Sequence, residues 1–317
     1  MAETPLALGI DFGGTSVKIG VVFRGNVIDR SPPIATQDFD GPEPILDAVV
    51  RAVEDLRTRH RGIVSVGIGV PGFVDFEKGI VHNLTNVAGW RGYPLKRALG
   101  ERVDLPIVVD NDANCMTYAE WKRGAGRGLE HLVAITLGTG VGGGVVANGR
   151  MVRGARFGAG EVGQMSIHWK GRPGHYGNAG ALEEYIGNQQ IAAEAHLAYA
   201  QEGPERSLSD CTPASLSRAA LTGDAIAMEI WDDVAAKLAC TLMNCCWLLN
   251  PQALIIGGGV AKAGDLLFGP LTSHLYSQLS APFKEHLMIL PARFGNEAGM
   301  IGAAALSLEE AGVVLTP

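Results

Sequence analysis

An apolar run at residues 6–10 enters Asp11-Phe-Gly-Gly-Thr15, a second at 17–23 leaves it, and Arg24-Gly-Asn26 separates that run from Val27 and Ile28. Apolar runs of strand length divided by short Gly-containing turns predict three antiparallel strands. The layout recurs from Leu132: a run at 133–137, Gly138-Thr-Gly140, a run at 141–147, Asn148-Gly-Arg150, then Met151 and Val152. The copies lie about half a chain apart, which predicts two domains on one plan and not a short-period solenoid.

Between the copies, Ile45, Leu46, Val49, Val50, Val53 and Leu56 recur at helical spacing, with Arg51, Glu54 and Asp55 on the other face. A covering helix is expected over 42–60. Runs at 65–70 and 107–109 read as parallel strands buried on both faces, giving the order βββαβ. In the second half Thr212-Pro213 forms a helix cap with Pro at the first position. Ile226, Ile230, Val234, Leu238, Leu242 and Leu249 mark a long buried helix, followed by a strand at 253–256. The Ser-, Pro- and Gly-containing residues 201–213 are expected to be a flexible surface connection. The expected division is 1–115 plus 300–317 for an N-terminal α/β domain and 116–299 for a larger C-terminal one.

Composition narrows the functional classes. A chain of 317 residues, 47% hydrophobic, can bury two cores. A net charge of -7, an isoelectric point near 5.6 and scattered Lys and Arg argue against nucleic acid as a ligand. Residues 1–5 show no signal-peptide pattern, and the most apolar stretch, 242–256, is interrupted by Asn244, Asn250, Pro251 and Gln252. No membrane span is expected, and a cytoplasmic location is. Cys115, Cys211, Cys240, Cys245 and Cys246 are odd in number and lack CxxC pairs, so they read as buried thiols and not as disulfides or metal ligands.

Gly138-Thr-Gly140-Val-Gly142-Gly143 spells G-x-G-x-x-G, yet a strand pattern follows it where a dinucleotide fold needs a helix. A Gly- and Thr-rich turn lets backbone N–H groups approach phosphate oxygens, and two such hairpins can clamp a triphosphate. A tight turn needing positive φ explains either hairpin alone, but not the acid Asp11 at the mouth of the first. An acid there can hold the hydrated Mg²⁺ that accompanies ATP. No G-x-x-x-x-G-K-[ST] motif occurs. Gly257-Gly-Gly259 ends a strand in a concave turn suited to a nucleoside, close packing of helix on strand being the alternative. Asp110-Asn111-Asp112-Ala113-Asn114 follow a buried strand, at the end where α/β proteins bind ligands, although Asn and Asp also serve turns.

Ordered segments then carry a resemblance: Asp11-Phe-Gly-Gly-Thr15, Gly67-Ile-Gly-Val-Pro-Gly72, Asn86-Val-Ala-Gly-Trp90, Asn111-Asp112-Ala-Asn114 with Ala119-Glu120, Leu137-Gly-Thr-Gly140, Ala159-Gly-Glu161-Val-Gly163, Gly180-Ala-Leu-Glu183, Asn250-Pro251, Gly257-Gly-Gly259 and Gly299-Met-Ile-Gly302. Over nearly its whole length the chain resembles the ROK family of bacterial sugar kinases. The resemblance implies a two-domain actin-like ATPase fold of the hexokinase and Hsp70 kind, with duplicated βββαβα domains. It implies transfer of the ATP γ-phosphate to a hexose hydroxyl, with glucose the default and fructose, mannose, allose or an N-acetylhexosamine the alternatives.

Sugar contacts are implied for Gly72, Asn86, Asn111, Asp112, Glu161 and Glu183, with Asp112 accepting the hydroxyl proton. ATP contacts are implied for Asp11, Gly13, Gly14, Thr15, Lys18, Gly138, Thr139, Gly140, Gly257, Gly258 and Gly259, Asp11 reaching Mg²⁺ through water. A homodimer is usual for such kinases. Two other classes compete: a sugar-responsive repressor, which would need a DNA-binding segment before a first strand that begins by about residue 6, and an ATPase driving conformational change.

The chain departs from the family at one place. Most members follow the Glu-x-Gly here occupied by Glu161-Val-Gly163 with a His and then three Cys that together bind a structural zinc. Gln164, Gly174, Tyr176 and Ala181 stand at those positions. A zinc-free protein is expected, with Gln164 taking over the sugar contact of the lost His, and with residues 169–181 ordered by Tyr176 and Tyr185.

Overall fold

The computed structural model describes residues 5–82 and 89–314. Strands β1 (Leu6–Phe12), β2 (Ser16–Phe23) and β3 (Asn26–Arg30) form the antiparallel meander read from the first apolar repeat. A short β4 (Ile34–Ala35) pairs with β2. Helix α1 (Pro42–Arg59) buries Ile45, Leu46, Val49, Val53 and Leu56 and starts on a proline, whose missing N–H costs nothing in the first turn. Strand β5 (Ile63–Val70) pairs parallel with β1; a small ribbon, β6 (Val74–Asp75) and β7 (Ile80–Val81), and helix α2 (Leu95–Gly100) lead to β8 (Ile107–Asn111), parallel to β5. Helix α3 (Asp112–Arg123) follows directly. The sheet order is β3-β2-β1-β5-β8.

The second copy repeats this order: β9 (Leu132–Leu137), β10 (Val141–Ala147) and β11 (Arg150–Met151), then helices α4 (Glu183–Ile186), α5 (Asn188–Glu202), α6 (Pro213–Leu221) and α7 (Ala225–Leu249), then β12 (Ala253–Gly258) parallel to β9. Helices α8 (Asp265–Ser277) and α9 (Ala281–Lys284) precede β13 (Met288–Pro291), which completes the order β11-β10-β9-β12-β13. Thr212 caps α6 through the N–H of Ser215, and Asn250 ends α7 in the left-handed conformation, φ 45°. The connection expected to be flexible at 201–213 is anchored: Arg206 pairs with Asp224 at 2.7 Å and lies 3.9 Å over Tyr199, and the Arg206 carbonyl meets His196.

The chain ends in α10 (Ala298–Glu310), which returns to the first sheet and packs on α3, β1 and β5. This helix lies so close that a Cβ at Gly67 would collide with the Ala303 carbonyl, and one at Gly302 with the Cys115 carbonyl. Gly67 of β5 and Gly302 of α10 are therefore packing residues. By contacts, one unit comprises 1–128, 151–159 and 293–317 and the other 129–150 and 160–292. The expected boundaries at 115/116 and 299/300 cut through α3 and α10, whose mutual packing keeps both helices whole in the first unit. Among the described residues no helix is long and apolar enough to cross a membrane.

Candidate active site

In the first unit, β1 delivers Asp11 to the hairpin mouth opposite Lys18, whose Nζ lies 3.3 Å from Asp11 Oδ2. Gly13 N–H donates to the Ser16 carbonyl at 2.9 Å, closing the turn, while Thr36 takes the carbonyls of Gly14 and Thr15. Gly299 in the first turn of α10 leaves room for the Asp11 carboxylate: a Cβ there would lie 3.0 Å from its Cγ.

At the end of β8, Asn111 is the N-cap of α3. Its Oδ1 accepts the N–H groups of Ala113 (2.8 Å) and Asn114 (3.1 Å), and its Nδ2 donates to the Gly72 carbonyl at 3.0 Å. Asn111 and Gly72, both implied sugar contacts, are thus joined to each other, and Gly72 has the positive φ of 85° that its turn requires. Asp112 is the first residue of α3. It is partly exposed by surface yet crowded by protein around its carboxyl, and burial, then the charge of Asp11, push it up to about 6; the Ala113 N–H pulls the other way. Asn86 lies outside the described residues.

The second unit holds Glu183 at the start of α4 with its Oε2 accepting the Val141 N–H at 2.8 Å. This contact explains Gly140: a Cβ there would run into the Glu183 carboxylate. Gly138 N–H donates to the Gly140 carbonyl (2.9 Å) and Asn188 N–H to the Gly138 carbonyl (2.9 Å), fixing the hairpin around Thr139. Gln164 Nε2 reaches Glu183 Oε1 at 3.4 Å, and its buried Oε1 finds no donor among the described residues. Burial first, then the charges of Glu161 and Glu183, raise the Tyr176 phenol. At the end of β12, Gly258 takes φ 90° beside the Leu137 carbonyl, and Gly259 has open space where a side chain would stand. A short turn, Val260–Ala263, follows before α8. The structure therefore gathers Asp11, Gly72, Asn111 and Asp112 in one unit and the Gly138–Gly140 turn, Gln164 and Glu183 in the other.

The four positions of the family zinc site carry other work. Gln164 meets Glu183, a Cβ at Gly174 would strike Asn178, Tyr176 is 53% exposed, and Ala181 is buried in a bridge with Ser166. The side chains at these four positions offer no thiolate or imidazole, so they lack the donors of the family's zinc site. The exposure of Tyr176 corrects the expectation that its packing orders 169–181. Backbone bonds do so, Gly174 N–H to the Asn178 carbonyl (2.7 Å) and Gly180 N–H to the Arg172 carbonyl (2.7 Å), with Arg172 stacked on Tyr185 at 4.6 Å and paired with Glu194.

Sequence reading gave no role to two buried acids beside the site. Asp110, 3% exposed, binds Arg153. Glu120, fully buried, accepts the N–H groups of Ala125 (3.0 Å), Arg293 (2.8 Å) and Phe294 (3.0 Å), holding the strand entry of α10 to α3. The signal for Glu120 was present as an acid inside an otherwise apolar helix face; Arg153 lies 43 residues from Asp110 and carries no local signal.

A model of the ROK family matches residues 7–310. The glucokinase of Streptomyces coelicolor is 35% identical over 317 residues, covering 96% of this chain and 98% of that protein. The glucokinase of Halalkalibacterium halodurans is 34% identical over 311 residues, covering 94% of each. Among solved structures, a ROK family glucokinase from Streptomyces griseus in complex with glucose and AMPPNP superposes with a TM-score of 0.82 at 31% identity, covering 96% of this chain and 99% of that one. The duplicated sheets are those of the two-domain actin-like ATPase fold.

Proposed function

The chain belongs to the ROK family and is an ATP-dependent sugar kinase; on that premise we propose that its acceptor is glucose and that Asp112 is the general base. The observation that carries the assignment is the carboxyl of Asp112 at the carboxyl end of β8, raised to about 6 by burial and by Asp11. A base whose pKa lies just below the working pH is charged when needed and still basic enough to take a hydroxyl proton. Phosphoryl transfer asks little more of a protein than an in-line hydroxyl, a proton acceptor and neutralisation of phosphate charge.

In this reading the Gly13–Thr15 and Gly138–Gly140 turns offer backbone N–H groups to phosphate, and the Gly257–Gly259 turn receives the nucleoside. Asp11 would hold Mg²⁺, which when bound would supply neutralisation of charge on the phosphates. Asn111, capping α3 with its oxygen, keeps one amide hydrogen for a sugar oxygen, and Glu161, Glu183 and Gln164 accept sugar hydroxyls. Glucose is supported by the two glucokinase relatives and by the glucose in the Streptomyces griseus structure. The test is ADP release with ATP and Mg²⁺ over glucose, mannose, fructose, allose and N-acetylglucosamine. Glucose is expected to give the highest kcat/KM; ADP release that needs no sugar would overturn the kinase reading.

We also propose that the enzyme carries no structural zinc, that it forms a homodimer and that it works in the cytoplasm. Elemental analysis should find zinc far below one per chain, and stoichiometric zinc, or unfolding on chelation, contradicts this. Light scattering should give twice the chain mass.

A further inference from the structure

The strand-to-helix turn that carries Asp112 is held from behind by an ion pair. Asp110 Oδ1 accepts the Asn111 N–H (2.8 Å) and Asn114 Nδ2 (2.9 Å), and its Oδ2 accepts both Nε (3.0 Å) and Nη2 (2.9 Å) of Arg153. Every lone pair of this buried carboxylate that protein can reach is taken. The guanidinium is itself fixed, lying 3.7 Å over the ring of Phe76, and the Arg153 carbonyl accepts Ala159 N–H at 3.0 Å, closing the 153–159 loop. Removing one member of such a pair strands a buried charge, so both are committed to this turn.

We propose that Asp110 and Arg153 are positioning residues for Asp112: they fix the turn from which the carboxyl projects, and Arg153 cancels a negative charge two residues from it. The proposal deepens the functional reading above and rests on Asp112 being the base. Without Arg153, Asp110 and Asp11 would both oppose ionisation of Asp112. Three other acids on neighbouring elements have partners of their own. On β1, Asp11 has Lys18; on β6, Asp75 has Lys78; and Glu309 of α10 meets Tyr118 and Lys122 farther along α3. The Cys115 thiol, buried among Asp110, Asp112 and Asp11, is pushed well up and stays protonated.

The experiment combines two readouts on the full chain with ATP, Mg²⁺ and glucose: the acidic limb of kcat/KM, and the ¹³C titration of the Asp112 carboxyl, assigned with Asp112→Asn. Arg153→Met should move the Asp112 titration upward by on the order of one pH unit and Asp110→Asn downward by a similar amount. The double variant should return it close to wild type. The acidic limb should follow each move, with kcat at its plateau falling about tenfold or more in the single variants and glucose KM changing less. Arg153→Lys keeps the charge but not the fork, so it should hold the titration near wild type while kcat falls; it serves also if Arg153→Met does not fold. An Asp112 titration unmoved in both Asp110→Asn and the Arg153 variant that folds, or moved with the same sign by Asp110→Asn and Arg153→Met, overturns the proposal. A titration that moves as described while the acidic limb stays fixed supports the positioning pair and removes Asp112 from the role of base.

Discussion

The two units present acids in opposite ways. In the first, Asp110 and Glu120 are buried and saturated with donors, while Asp112 between them in sequence accepts one backbone N–H and is pushed up to about 6. In the second, Glu183 is anchored by the Val141 N–H, and Gln164 beside it and Asn178, which donates to the Gln164 carbonyl, each bury an oxygen that has no donor among the described residues. A carboxyl made uncomfortable in its charged form suits proton abstraction, whereas fixed acceptors awaiting donors suit recognition of hydroxyls. The two units thus hold their site acids differently: Asp112 resists ionisation, and Glu183 is fixed by a backbone donor.

The sharpest break in that comparison is thermodynamic. The native Asp112 binds its proton more tightly than an ordinary carboxylate near 3.8, so stability attributable to this group is lost as pH rises from about 4 through about 6. Asp112→Asn should therefore stabilise the protein above pH 7, by up to about 3 kcal/mol, and change little near pH 4. Thermal unfolding at the two pH values measures this; an equal effect at both would mean that the carboxyl is not held in tension. In the second unit, Gly140→Ala places a methyl against the Glu183 carboxylate and should cost about 10²-fold in kcat/KM for sugar without lowering the melting temperature much. Loss of stability instead would make the hairpin structural.

Smaller effects refine the division. Asp11→Asn should weaken the Mg²⁺-dependent step about tenfold while leaving glucose affinity in place, since its proposed partner is the ion and not the sugar. An unchanged Mg²⁺ dependence would leave Asp11 a structural partner of Lys18. Gln164→Ala should raise glucose KM about fivefold with kcat nearly kept, the mark of a lost uniform binding contact. A fall in kcat alone would move Gln164 into the chemical step.

What could be read before the structure was what local pattern encodes. The repeated Gly turns and apolar runs located β1–β3 and β9–β11, and helical spacing located α1 and α7, because both depend on neighbours a few residues away. Asp112 was visible as an acid at the end of a buried strand. The capping of α3 by Asn111 and its bond to Gly72 were not, since an Asn in a turn looks the same whether it caps or binds. The Asp110–Arg153 pair and the grip of Glu120 on Arg293 and Phe294 span 43 and more than 170 residues, beyond any periodic signal. In the 169–181 loop Tyr185 takes part as expected, accepting the Arg172 N–H at 2.9 Å, whereas the backbone bonds leave Tyr176 exposed; an aromatic residue in a short loop suggests packing whether or not it packs.

In the proposed mechanism Asp112 removes the proton from the attacked sugar hydroxyl. That role is tested most directly by Asp112→Asn, comparing steady-state turnover on ATP and glucose with glucose affinity measured by calorimetry. Turnover should fall by roughly 10²–10⁴-fold while the dissociation constant for glucose changes by less than about threefold. Near-normal turnover in this variant would contradict that role.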